Sequence, residues 1–331
     1  MIELPMFNDE EWYLQQVKKY IVYNRIKDKA KIETYYKQKT TEIVSTLEGV
    51  ICDDDFSCND SRYNLFEKLI LAPFKDLKHI QQKIFVNVDT IFYDVEIDST
   101  GNEQRSLKEK WKPIYGLYDK LISKGLNTEL VKKYELRSCP YCNESYIFNR
   151  KKAEGKTYAM AQLDHFYPRD KFPIFAVSLY NLVPSCSACN HMKSTKEIGV
   201  SPHDHSYDFS NMRISYIPCT GNWIENSNDI KLDFTYKSED CKAAMELNLE
   251  TLGIKAAYNI HTDYVQELLK KAQIYGPDTR NSLMAQFPNL FASDEELLRT
   301  IFGNYIETKD TLKRPLSKLT QDLLVELGII E

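Results

Sequence analysis

Residues 163 to 196 read LDHFYPRDKFPIFAVSLYNLVPSCSACNHMKSTK, and the reading of the whole chain turns on them. The Phe, Leu and Val positions would suit any buried segment. Such a segment has no use, however, for Asp164 beside His165, for Asn181 ahead of an apolar run, or for Cys186 and Cys189 at turn spacing. A second Cys-x-x-Cys, Cys139 and Cys142 in SCPYCN, lies upstream with 43 residues between the two pairs. Each such turn can offer two thiolates to one tetrahedral ion at about 2.3 Å, so Cys139, Cys142, Cys186 and Cys189 are expected to close a structural Zn(II) site. The gap exceeds the roughly 15 to 20 residues of an ordinary zinc ribbon, so the two turns must hold something between them. A redox pair is disfavoured, because CPYC lacks a βαβ context. Cys52, Cys58, Cys219 and Cys241 have no matched spacing and are expected to be buried small apolar residues.

The chain of 331 residues is long enough for two modest cores, and its 11 Gly and 12 Pro leave little room for flexible linkers. No apolar run approaches the ~20 residues that span a bilayer, and the acidic start MIELPMFNDEEWYLQQ does not resemble a secretory signal. The expectation is a cytoplasmic protein with no membrane contact, where paired cysteines call for a metal before a disulfide. A formal net charge of -5 argues against nonspecific coating of nucleic acid. Charge is uneven, though: between Val131 and Val200 eleven Lys and Arg stand against six Asp and Glu. Positive charge travels with the motifs.

Periodicity at three and four residues predicts helices over 9–48, 61–74 and 106–124, the last broken near Pro113. Residues 83–98, rich in β-branched and aromatic side chains, are expected to be strand in part. SYIFNR and TYAMAQLDHF, joined by KKAEGK, resemble a β-hairpin, and a helix should start near Ser187 and carry CNHMKSTKE. RISYIP and IKLDFTYK look like strands, and the carboxy-terminal segments look helical. The expected organisation is a helical region over 1–130, a compact core over 131–200, and strands then helices over 201–331. The fold class is mainly α around a small central ββα core stabilised by a four-cysteine zinc site.

In that core the sequence resembles the HNH, or ββα-metal, nuclease family: Cys-x-x-Cys, a strand ending in Asp-His with Pro soon after, an Asn, then Cys-x-x-Cys followed by Asn or His and a Lys. The matching residues are Cys139, Cys142, Asp164, His165, Pro168, Asn181, Cys186, Cys189, Asn190 and Lys193. The resemblance implies an endonuclease that hydrolyses phosphodiester bonds, with DNA favoured over RNA. It implies His165 as general base, Asp164 and Asn190 (His191 if the register slips) as ligands of a catalytic Mg(II) or Mn(II), and Asn181 bracing the loop that bears the base. The chemistry suits these residue types. Hydrolysis needs a water to lose a proton, for which a neutral imidazole is apt, and needs phosphate charge neutralised, for which a hard ion with oxygen ligands is apt. Neighbouring strand residues face opposite ways, so His165 would address the water and Asp164 the metal.

Lys193, Lys196, Arg169 and Lys171 are candidate phosphate contacts, with solvated surface charge as the alternative. His203 and His205 lack a matched ligand framework and are given no site. The long flanks are similar, more loosely, to the HNH subunit of Septu and retron-associated anti-phage systems. That likeness implies an ATPase partner and a defence role. The rival class is a zinc-stabilised nucleic-acid-binding module that does not cut, which would have no need of Asp164, His165 and Asn190 together.

Overall fold

The computed structural model describes residues 1–22, 29–57, 60–155 and 157–330. About half of it is helical, with small antiparallel hairpins set between the helices. The expected first helix is two, α1 (Glu10–Val22) and α2 (Lys29–Leu47), with residues 23–28 between them outside the described part. Helix α3 (Leu65–Leu71) starts at a reciprocal cap, where Asn64 Oδ1 accepts from Glu67 N at 3.0 Å and Glu67 Oε2 accepts from Asn64 N at 3.0 Å. Then come α4 (Phe74–Ile84), α5 (Val88–Phe92) and the hairpin of β1 (Tyr93–Ile97) with β2 (Glu103–Leu107), so residues 83–98 are helix first and strand last.

Helix α6 (Lys112–Ser123) begins later than its periodicity suggests. Pro113 stands in its first turn, where a missing N–H costs nothing, so it starts the helix and does not break it. Gly125, at φ +88°, turns the chain into α7 (Leu126–Lys133). The expected SYIFNR–TYAMAQLDHF hairpin reduces to β3 (Arg150–Lys151) against β4 (Thr157–Tyr158). The Asp-His strand, β5 (Gln162–His165), pairs instead with β6 (Leu182–Ser185), placing Asp164 opposite Val183 and His165 opposite Leu182. That sequence alternates too briefly for its partner to be read from pattern alone.

Helix α8 (Ser187–Lys193) follows β6 and stops at Ser194, which adopts φ +49°. It is shorter than CNHMKSTKE suggested. The carboxy-terminal part contains β7 (Met212–Pro218) paired with β8 (Ile230–Tyr236), then α9 (Lys242–Thr251), α10 (Ile254–Tyr258), α11 (Thr262–Ile274), α12 (Pro277–Gln286), α13 (Asp294–Phe302) and α14 (Ser317–Glu326). No described helix is long and apolar enough to cross a membrane.

One continuous apolar core runs through residues of all three expected regions, from Leu14 and Trp111 through Phe175 and Val183 to Leu268 and Leu323. The regions interlock at the first cysteine turn. Ile2 N donates to Pro140 O at 2.8 Å, and Tyr258 OH donates to Cys142 O at 2.5 Å. Asn143, fully buried at φ +51°, donates from Nδ2 to Ser138 Oγ (2.9 Å) and Thr311 O (3.1 Å). It also accepts from Lys318 N at Oδ1 (2.9 Å) and from Leu316 N at its carbonyl (2.6 Å). Leu316 itself sits at φ +60°, a conformation unfavourable to its side chain, and that last bond helps to hold it there.

Candidate metal centre and His165 site

The four expected cysteines come together. Cys139, Cys142, Cys186 and Cys189 are buried, and their sulfurs all lie within 4.8 Å of one another. A tetrahedron with arms of about 2.3 Å has edges of about 3.8 Å, and Cys142 Sγ and Cys186 Sγ are 3.9 Å apart. Backbone N–H groups aim at the sulfurs as thiolates would require: Cys186 N at Cys139 Sγ (3.3 Å), Cys189 N at Cys186 Sγ (3.4 Å) and Glu144 N at Cys142 Sγ (3.4 Å). Burial pushes the Cys139 thiol up, whereas hydrogen bonds from Cys139, Cys142 and Cys189 hold Cys186 far down. This donor set could hold a structural metal such as Zn(II), which would tie the turn before the β3–β4 hairpin to the start of α8. Of the other cysteines, Cys52 and Cys219 are exposed and Cys241 is half-buried, contrary to expectation; Cys58 lies outside the described residues.

Strand alternation divides β5 between two neighbours. Gln162 and Asp164 face α8, where Asn190 Nδ2 donates to Gln162 Oε1 at 2.7 Å and Lys193 Nζ lies 3.2 Å from Asp164 Oδ1. Leu163 and His165 face α6: Tyr118 OH donates to Leu163 O at 2.8 Å, and the Tyr118 ring packs on the imidazole at 4.3 Å. His165 is half-buried, with Nε2 2.9 Å from Ala176 O. A carbonyl only accepts, so Nε2 carries the proton and Nδ1 keeps its lone pair. Burial lowers the His165 pKa to about 4, so the ring is neutral at pH 7.

The loop between β5 and β6 is held by Asn181, which is fully buried. Its Oδ1 accepts from Tyr167 N at 2.8 Å, while Nδ2 donates to Tyr167 O at 3.2 Å and Phe175 O at 3.1 Å. One side chain thereby fixes both ends of the segment that starts beside His165 and returns to bond its ring.

Asp164 and Lys193 depart from expectation. The Asp164 side chain is 4% exposed, and its oxygens take the Tyr141 hydroxyl at 2.7 Å and the Lys193 ammonium at 3.2 Å. Burial still raises its pKa. Lys193, expected at phosphate, has a side chain with no exposure and also donates to His165 O at 2.5 Å. An α8 only seven residues long points Lys193 inward over the strand it packs on. In this arrangement Asp164 is satisfied by a lysine and a tyrosine, and the residues present do not fit Mg(II) or Mn(II) there. Asn190 is half-buried and His191 exposed on α8.

The remaining expected cations divide. Arg169 bonds Asp119 at 2.9 Å, with its guanidinium over the rings of Tyr115 (4.2 Å) and Tyr118 (5.0 Å). It therefore shares Tyr118 with His165. Lys171 pairs with Glu197, and its ammonium lies 4.2 Å from the centre of the Phe85 ring. Lys196 is exposed and makes no ion pair among the described residues. His203 is buried with Nε2 3.1 Å from Leu182 O, and His205 bonds Glu3 at 2.6 Å, so each has a partner other than a metal.

Sequence reasoning missed Tyr118, Tyr141 and Ala176. Tyr141, placed between two metal-turn cysteines, carries a polar tip that must find a partner once buried, which was a usable signal. Tyr118 comes from a separate helix and gave none. No protein-family model, curated protein or solved structure matches this chain.

Proposed function

We propose that the chain is a nuclease of HNH type, hydrolysing phosphodiester bonds with His165 as general base and DNA as the favoured substrate. The observation that carries this reading is the His165 imidazole, on the strand paired with the one that leads into the Cys186 turn, held by a loop carbonyl in the tautomer that leaves one nitrogen free. In the proposed step a water oxygen attacks phosphorus, its proton passes to His165 Nδ1, the bond to the leaving sugar oxygen breaks, and that oxygen takes a proton from a solvent water. Arg169, which stacks on the same tyrosine as His165 and pairs with the exposed Asp119, is the cation this reading assigns to phosphate. Zn(II) in the clasp serves structure alone. No step is assigned to a divalent ion at Asp164 while Lys193 and Tyr141 hold its oxygens. The ATPase partner and the anti-phage role implied by the flanks belong to this same proposal.

One observation favours a second reading. The Asp164–Lys193 pair is what a zinc-stabilised binding module that does not cut could carry at this position. Incubating the purified chain with plasmid, single-stranded DNA and RNA in Mg(II), Mn(II) or EDTA, with and without neighbour-encoded proteins, separates the two. The nuclease reading expects DNA cleavage in at least one condition. Binding without cleavage in every condition selects the silent module.

A further inference from the structure

A groove of about 1520 Å³ opens beside the first cysteine turn, and neither His165, Asp164, Asn181 nor Asn190 lines it. It is larger than the roughly 300 to 1,000 Å³ of a small-molecule pocket. The amino-terminal segment, the end of α7, β7 and α14 form its walls. Eight Lys and Arg line it against four carboxylates, in a chain whose net charge is -5. Some of that charge is already met, as at Lys318, which pairs with Asp322 at 2.5 Å. Lys132, Arg137, Arg213 and Lys237 make no ion pair among the described residues, although Lys237 donates to Ser210 Oγ at 2.9 Å.

A cluster of cations left without carboxylates around a long groove calls for a ligand that carries repeated negative charge. The groove edge adds a second requirement. Phe148 is 37% exposed there, with the Arg150 guanidinium 5.9 Å from its ring centre, and Arg150, Lys151 and Lys152 continue the positive charge along the β3–β4 hairpin. An exposed ring beside a guanidinium suits unpaired bases on a charged backbone, whereas an acidic peptide offers no base to stack on it.

We propose that this groove binds single-stranded nucleic acid, with Lys132, Arg137, Arg213 and Lys237 on its phosphates and Phe148 under a base. The site is separate from the His165 site and is tested without cleavage. The measurement is fluorescence anisotropy of a labelled oligothymidylate, with an oligouridylate in parallel, on the full zinc-loaded chain without added Mg(II) or Mn(II) across a salt series. Four neutralised phosphates give a slope of log affinity on log salt of about -3. Arg137→Gln with Arg213→Gln should halve that slope, and Phe148→Ala should weaken binding about ten-fold. Lys120→Gln, on the exposed face of α6, should change neither. The inference is overturned by absence of binding at low salt, by an unchanged slope in the double variant, or by polyglutamate competing as well as the oligonucleotide. Binding with no cleavage under any condition would uphold the groove and sink the nuclease reading, so the two fail separately.

Discussion

Replacing Lys193 with Met keeps the aliphatic stem and removes the ammonium from beside a carboxylate whose side chain is 4% exposed. Removing one partner of a buried ion pair strands the other charge, at a cost of about 3 to 5 kcal/mol. Against a typical domain stability of about 5 to 15 kcal/mol, that loss is large. Asp164→Asn combined with Lys193→Met leaves a neutral pair in which the amide oxygen still accepts from Tyr141, so most of the loss should return. The pH dependence carries a sign of its own. Burial raises Asp164 in the folded state, and it rises further without Lys193, so the folded chain holds its proton more tightly than the unfolded chain. The Lys193→Met protein should therefore lose stability as pH rises through the folded-state pKa and regain it towards acid. Urea unfolding followed by tryptophan fluorescence measures both effects. A loss below about 1 kcal/mol, or a double variant no more stable than the single, would refute the reasoning.

Cys186→Ser should lower bound zinc from one ion per chain to well below it and reduce solubility, as read by elemental analysis of the purified protein. Asn181→Ala leaves the Tyr167 N–H and carbonyl in the β5–β6 loop without partners, while Phe175 O keeps the Ser178 N–H, for a loss of about 2 kcal/mol in urea unfolding and weaker protection of the Tyr167 amide from hydrogen exchange. Burial lowers His165 and His203 to about 4, so the folded state resists their protonation. Stability contributed by that difference is present above the unfolded value of about 6.5 and is lost as pH falls towards 4. A thermal-unfolding series from pH 7 to pH 4 should decline, and a flat series would count against both burials.

The elements legible in the sequence were those with a local cause. The two Cys-x-x-Cys turns announced their cluster because a tetrahedral ion fixes both residue type and spacing, whereas the bracing role of Asn181 came only through the resemblance, since a turn Asn before an apolar run has an ordinary use of its own. Helices with clear periodicity, such as α1 and α11, were legible for the same reason. What failed depended on contacts far along the chain. The strand partner of Asp164 and His165 lies beyond a loop whose path is set by Asn181, so the nearer TYAMAQLDHF pairing looked better than it is. Lys193 looked like a surface cation because its burial follows from where α8 lands on β5, which no local pattern encodes. Tyr118 reaches His165 from α6, and Asn143 gathers residues 311 to 318, both through tertiary packing alone.

The central claim is that His165 removes a proton from the water that attacks a phosphodiester. It is tested most directly by the initial cleavage rate of the zinc-loaded chain against its His165→Ala variant on the DNA substrate that is cut best. The account predicts a fall of about 10²- to 10⁴-fold with zinc content and unfolding midpoint unchanged. A variant that cuts at the parent rate would contradict it.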